Sequence, residues 1–319
     1  MGSVLDAKHF RDEAAAYKWV EARVWPNGRV CPHCGVVDHS GPLKGKSTRI
    51  GVYKCYEREC RKPFTVKVGT IFESSHIRLH IWLQAMFLLA SSKKGISSNQ
   101  LARTLGVTLK SAWFLSHRIR EAMKDTKGGM FGGNFGGVEA DETLQGVDPR
   151  RERGDDVRAS AWDFNRVLTL IDRDTGAARS FVMTEFTTDE VQRIFNENVA
   201  REAYLMTDEA QQYKGPGALQ TFHGAVNHGA GEYVRKDAPW VHTNTVEGYY
   251  SVFKRGMKGV YQHCGRQHLH RYTAEFDFRY SHRAKLGVDD VTRFTRIVEG
   301  VTGKRLTYRP ANRQVGAEA

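Results

Sequence analysis

The sequence has no apolar run long enough to cross a bilayer. Its longest, Ile81 to Ala90, is interrupted by Gln84 and is about half the roughly 20 residues a span requires, so no membrane partner is expected. Met1 to Glu13 lacks the cationic-then-apolar pattern of a secretory signal, and secretion is not expected. Proline is scarce at 8 residues, whereas 40% of the chain is hydrophobic and 26% charged. That balance excludes a mainly disordered chain. At 319 residues there is room for two domains and a core that needs no disulfides. Cysteine is scarce too: five in all, an odd count, four of them between residues 31 and 60 and Cys264 alone. Such crowding without a signal fits a metal site in a reducing compartment better than a disulfide framework. Acids are in deficit, 36 against 48 Lys and Arg, for a formal charge of +12. The excess speaks to association rather than fold, and nucleic acid is the commonest polyanionic partner.

Three segments and no internal repeat are visible. Residues 1–72 hold the cysteine cluster with a preceding helix, and 73–126 read as helices. A glycine-rich stretch, 127–137, reads as a linker. Residues 138–308 alternate strand and helix patterns, and 309–319 form a polar tail. The cluster pairs Cys31 with Cys34 and Cys55 with Cys60, with Gly35 allowing a tight turn after the first pair. Two close thiol pairs supply the tetrahedron that Zn²⁺ prefers. Val52 and Tyr53, then Phe64, Val66 and Val68, read as short strands around the second pair, so the segment reads as a zinc ribbon. All four ligand positions are filled by protein, which makes the metal structural. His33 and His39 are alternative ligands, and Cys264 reads as an ordinary thiol.

Ile77 to Ala90 has the apolar spacing of a buried helix. Ser97 to Gln100 reads as a capping box opening a helix that stops at Gly106, and Thr108 caps a second. Helix, short turn with glycine, helix is the helix-turn-helix pattern. The second helix is expected to expose Lys110, Ser111, His117, Arg118 and Arg120, its start entering a DNA major groove and the two arginines meeting phosphates.

Beyond the glycines, Val138 to Glu142 alternates, with Val138 and Ala140 on one face and Glu139 and Asp141 on the other. Val167 to Ile171 and Ser180 to Met183 are further strands, Thr187 opens a helix, and Tyr204 to Thr207 is a fourth strand running into Asp208. A later helix buries Val246, Tyr250, Phe253 and Met257 and places Glu247, Ser251 and Lys254 on another face. Three strands, a helix, a strand ending on Asp and a helix bearing Glu is the order of an α/β, ribonuclease-H-like fold, a mixed sheet flanked by helices. Its central strands would set Asp141 beside Asp208, with Glu139 and Glu142 as rivals to Asp141, and the later helix would bring Glu247 over. Clustered carboxylates call for hard cations, Mg²⁺ or Mn²⁺. Two such ions suit phosphodiester chemistry.

These residues resemble the IS1595-type, or ISXO2-like, insertion-sequence transposases. The likeness runs from the helix before Cys31 to about Arg283, through CPHCG, GTIFESS, SSKKGISSNQLARTLGV, AWFLSHRIREAM, VEADET, MTDEA, VNHGAGEYV, HTNTVEGYYSVFKRGMKGVY and HLHRYTAEFDFRY. HTNTVEGYYSVFKRG and SSKKGIS are its most specific stretches. The chain departs from the family pattern in leaving four residues, not two, between Cys55 and Cys60. The resemblance implies a zinc ribbon followed by a DDE-type catalytic domain. It implies that Asp141 is the first catalytic aspartate, Asp208 the second and Glu247 the third acid. Lys254, seven residues on, corresponds to the accompanying base that holds a DNA phosphate or terminal base.

The expected function is therefore a bacterial, cytoplasmic, nucleoid-associated DNA transposase. It would bind the terminal inverted repeats of its element, hydrolyse the phosphodiester at the 3′ ends and join the freed 3′-hydroxyls to target DNA. His242, Asn244, Arg255 and Lys258 would position DNA, and two ends imply a homodimer or larger on DNA. Two alternatives are a ribonuclease-H-like nuclease without strand transfer and a non-enzymatic regulator derived from a transposase.

Overall fold

A computed structural model describes residues 2–126, 128–147 and 164–307. The polar tail expected at 309–319 lies outside the described residues. The chain divides into two compact units: Met1–Ser92 with Ile96–Met123 and Asp290–Ala319, and Lys93–Gly95 with Lys124–Asp289.

The first unit opens with α1 (Glu13–Val24), capped by the Asp12 carboxylate on the Ala15 amide. Three short antiparallel strands follow, β1 (Ser40–Pro42), β2 (Tyr53–Cys55) and β3 (Pro63–Phe64). Val66 and Val68, expected as strand, instead sit in the turn after β3. Helix α2 (Leu79–Ser91) has Arg78 at its N-cap, which supplies no capping side chain. Glu13 does that work, accepting the Leu79 and His80 amides at 2.8 and 3.2 Å. Helices α3 (Ser98–Leu105) and α4 (Leu109–Met123) begin and end as their sequence signals require. Ser97 Oγ accepts the Gln100 amide, Gly106 closes α3 at φ +65°, and Thr108 Oγ1 accepts the Ser111 amide. One boundary differs from the expected segments. The helix Asp290–Glu299, inside the 138–308 stretch, belongs to this unit. Its buried Phe294 lies among Phe10, Trp19 and Phe87, and Arg293 donates to the Ala90 carbonyl.

The second unit is a five-stranded sheet. Its strands are β4 (Gly137–Val147), β5 (Phe164–Asp172), β6 (Ala178–Met183), β7 (Tyr204–Thr207) and β8 (Phe222–Ala225), in spatial order β6-β5-β4-β7-β8. The first three pair antiparallel, and β7 and β8 run parallel to β4. This is the ribonuclease-H-like arrangement expected from the element order, with β8 as an added edge. Val138 and Ala140 of β4, with Leu168 and Leu170, face the helix α5 (Thr188–Asn198) through Val191, Ile194 and Phe195. On the opposite face Val167 and Ile171 meet Val246, Tyr250 and Phe253 of α7 (Asn244–Gly256) and Leu269, Tyr272 and Phe276 of α8 (Arg266–Ser281). Between β7 and β8 lies the short α6 (Gln211–Gly217).

The glycine-rich stretch is not a free linker. Phe131 is buried in the α5-side core, exchanges backbone hydrogen bonds with Asn198 and Ala200, and pairs with Val199. The Gly132 amide donates to Asp172. One large apolar side chain among the glycines is enough to pin the turn, and the glycines supply its tight backbone, as at Gly132 with φ +73°.

Candidate active site and metal centres

In the first unit the four thiols converge. Cys31 Sγ lies 3.8 Å from Cys60, and Cys34 Sγ lies 3.7 Å from Cys55. All four sulfur atoms lie within 4.8 Å of one another. Tetrahedral Zn²⁺ with Zn–S near 2.3 Å requires sulfur separations of about 3.8 Å. The donor set therefore fits zinc, and the wider second spacing still delivers Cys60. Burial and the surrounding thiols push the Cys55 thiol up to about 12, so a cation must displace its proton. The rival ligands are turned elsewhere: His33 Nε2 lies 3.3 Å from the Pro63 carbonyl, and His39 lies 3.6 Å from Glu57.

The helix-turn-helix expectation needs correction along α4. Lys110 is exposed and Ser111 half-buried at its start. His117, Arg118 and Arg120 are buried, not displayed. Arg118 donates to the Glu73 carbonyl at 2.6 Å and lies over the Trp82 and Phe114 rings, and burial lowers it to about 10. Arg120 donates to Ser116 Oγ, and the His117 ring packs on Trp113. Every residue from Leu115 to Arg120 is buried. A helix enclosed all round has no polar face to read from periodicity.

In the second unit, the parallel register Glu139 to Met206 carries Asp141 alongside Asp208, just beyond β7. Carboxylate oxygens of Asp141, Glu142 and Asp208 lie within 4.8 Å of one another. Burial, then Glu142 and Asp208, raise the Asp141 carboxyl from 3.8 to about 8, with Glu247 adding to the effect. Burial also raises Glu142 and Asp208. Burial and like charge favour the protonated form of each carboxyl, and a bound cation would favour the ionised form. Oxygen donors of this kind, half-buried and mutually repelling, fit a divalent cation. The rivals to Asp141 separate by role. Glu142 accepts the Tyr213 hydroxyl at 2.5 Å and faces Arg166 at 3.6 Å. Glu139 is fully buried and accepts the Thr245 and Val246 amides at 2.8 and 3.0 Å, plus Arg173 Nε at 2.6 Å. Glu139 thus caps α7 from β4. Glu139→Ala should destabilise the protein by about 3 kcal/mol in urea unfolding, because it removes a fully buried carboxylate that accepts two α7 amides and pairs with the half-buried Arg173. A loss under about 1 kcal/mol would contradict this role.

Glu247 lies in the first turn of α7, outside the three-carboxylate group, with Oε1 3.3 Å from His228 Nε2. That histidine also lies 3.2 Å from Thr243 Oγ1 and within electrostatic reach of Asp208. Lys254, Asn244, Arg255 and Lys258 are exposed. His242 is half-buried against Arg173 and Glu139. Sequence reading did not single out His228 or Tyr213. The first comes from the loop after β8 and the second from α6, elements without a periodic signal. Tyr250 of the expected apolar stripe has a polar task as well: its hydroxyl donates to the Asp141 carbonyl at 2.5 Å.

Residues 135–281 match the ISXO2-like transposase domain, and residues 11–63 match the transposase zinc-ribbon domain. Together these stretches cover more than half of the chain. The chain is 26% identical over 293 residues to an uncharacterized protein in transposable element ISH50 of Halobacterium salinarum, covering 86% of this chain and 93% of that protein. It is also similar, distantly, to two solved structures. The Mos1 strand transfer complex has 14% identity, 68% and 73% coverage of the two chains and a TM-score of 0.25. A pre-cleavage Mos1 transpososome has 13% identity, 62% and 75% coverage and a TM-score of 0.21. Among the described residues no helix is long and apolar enough to cross a membrane.

Proposed function

Because the chain belongs to the IS1595-type, ISXO2-like family of insertion-sequence transposases, we propose that it cleaves DNA at the ends of its element and joins those ends to target DNA. The observation that carries this reading is the meeting of Asp141 and Glu142, in the middle of β4, with Asp208, just beyond β7, with proton affinities raised by burial and by neighbouring carboxylates. Magnesium or manganese ions, two in number, held by Asp141, Asp208 and Glu247 would polarise the scissile phosphate and lower the pKa of the attacking hydroxyl or water.

The chain's own residues set the geometry. Asp141 projects from the middle of β4 and Asp208 from just beyond the end of the neighbouring β7, so sheet hydrogen bonds fix their separation before substrate arrives. Tyr250 pins the Asp141 backbone, and Tyr213 orients the Glu142 carboxylate. Glu139 anchors the start of α7 and with it Glu247. Lys254, two helical turns beyond Glu247, binds a DNA phosphate or terminal base. Lys110, Ser111, Asn244, Arg255 and Lys258 contact the duplex from exposed or half-buried positions. In the first reaction a water oxygen bonds to phosphorus as the bond to the element's 3′ oxygen breaks. In the second, that 3′ oxygen bonds to a target phosphorus as the target's own ester bond breaks. No covalent protein intermediate is needed. Synapsis of two ends requires at least two copies on DNA.

The test is cleavage of a labelled duplex carrying the element's ends and flank, with Mg²⁺ or Mn²⁺. Wild type should release the 3′ end only with the metal, and Asp208→Ala should not. Tight binding without cleavage by the wild type would instead favour a DNA-binding regulator.

A further inference from the structure

The stretch Ser91 to Ser97 carries two consecutive lysines that no part of the reaction above uses. We infer that the Lys93-Lys94-Gly95 turn, although far from α7 in sequence, completes a phosphate-binding surface at the C-terminal end of that helix. The inference rests on the DNA-transposase reading and adds to it a surface and its ligand, the backbone of duplex DNA.

Lys93 to Gly95 belong to the second unit, separate in this respect from the helices on either side. Two glycines make the placement possible. Gly95 has φ +98°, and any Cβ there would overlap the Tyr261 hydroxyl. A Cβ at Gly256 would lie 2.7 Å from the Lys94 carbonyl oxygen and would also overlap the Phe276 ring. The turn is therefore seated against the last turn of α7 and the π-helical Met257–Tyr261 that follows it. One approach is to the Tyr261 hydroxyl and the other to the Lys94 carbonyl, and both leave the lysine side chains outside. Lys93 and Lys94 are exposed, as are Lys254, Arg255 and Lys258 around Gly256.

None of these cations has an ion-pair partner among the described residues. The acid beneath the turn is already committed: Glu275 is buried, accepts the Tyr261 hydroxyl and pairs with Arg279. Exposed cations carried on two segments whose backbones touch repel one another within a Debye length, ~10 Å, and a polyanion offsets that repulsion. Gly256 is nine residues beyond Glu247, roughly 14 Å along the helix, a distance that spans about four base steps of B-DNA. A strand with its scissile phosphate at the carboxylates can therefore run past the turn. The glycines place the charge, and the lysines supply it.

The experiment measures binding of the full-length, zinc-loaded protein to a labelled random-sequence duplex of about 30 base pairs, by anisotropy, between about 50 and 200 mM salt. Lys93→Gln/Lys94→Gln should weaken binding roughly 10- to 60-fold near 100 mM salt and flatten the log–log salt slope by about 2. A control pair, Lys214→Gln/Lys285→Gln, at exposed sites on α6 and after α8, should leave both unchanged. Gly95→Ala keeps both charges but forces the turn off Tyr261, and should weaken binding by a similar factor, with an unchanged circular dichroism spectrum. Wild-type binding by the lysine pair variant, or by Gly95→Ala, would overturn the inference and leave the transposase reading standing. Failure of the wild type to bind any duplex would overturn both.

Discussion

Asp141→Asn should abolish DNA cleavage and joining and, in the absence of divalent metal, make the protein more stable. The activity loss is expected to reach at least about 10³-fold, roughly 4 kcal/mol of transition-state stabilisation. The stability gain follows from the carboxyl's proton affinity, raised from 3.8 to about 8 by burial and by Glu142 and Asp208. The folded protein holds this proton more tightly than the unfolded chain does. The stability so gained is fully present below about pH 4 and is lost as the pH rises through about 8. Wild type in EDTA should therefore melt progressively lower across that window. Asn has no proton to lose and keeps the acceptor oxygen that takes the Glu142 amide. Its curve should be flatter and lie several kcal/mol above wild type near pH 8, with a higher melting temperature. Mn²⁺ should raise the wild-type melting temperature and leave the variant unmoved. An Asn variant less stable than wild type at about pH 8 in EDTA would mean that Asp141 is neutralised by the fold and is no metal ligand.

Removing zinc should unfold the ribbon while sparing the second unit. The fully buried hydrophobic residues of that cluster are Cys31, Cys55 and Phe64, with Trp25, Val36, Tyr53, Cys60 and Val68 partly buried around them. Strands of three, three and two residues cannot hold a sheet by backbone pairing alone. Zinc coordination, with an apparent contribution on the order of 10 kcal/mol, is the larger quantity here. Released zinc should titrate to one ion per chain. Cys60→Ser should lower zinc affinity by several orders of magnitude and open residues 25–68 to proteolysis, whereas Cys264→Ser should do neither. Because the Cys55 thiol is pushed up to about 12, zinc binding should release protons and weaken as the pH falls. Full zinc retention by Cys60→Ser would show that the wide second spacing leaves Cys60 outside the coordination sphere.

Much of this architecture is legible because the signals are local. Ser97, Gly106 and Thr108 bound their helices by capping chemistry that acts within four residues. The alternation at Val138 to Asp141 assigns faces correctly, since Val138 and Ala140 face α5 while Glu139 reaches α7. What eludes sequence reading depends on partners remote in the chain. Arg118 looks like part of a phosphate-binding face until Glu73 and Trp82 enclose it. The 127–137 stretch looks unstructured until Phe131 finds the core. Strand β8 has a single buried residue among its four and no alternation to detect. At the site, Asp141 and Asp208 follow from strand order, whereas Glu142 joins them from the next position of β4 and His228 meets Glu247 through a loop.

Strand transfer by these carboxylates is tested by joining a pre-cleaved element end, carrying a free 3′-hydroxyl, to a supercoiled target plasmid. Joined product is expected with wild type and Mg²⁺ or Mn²⁺, none in EDTA, and none with Asp208→Ala or Glu247→Gln at any metal concentration. Cleavage of flanked ends without joining of pre-cleaved ones would contradict strand transfer and identify a nuclease. Joining that survives the loss of Asp208 would place the chemistry somewhere other than the carboxylates of β4 and the end of β7.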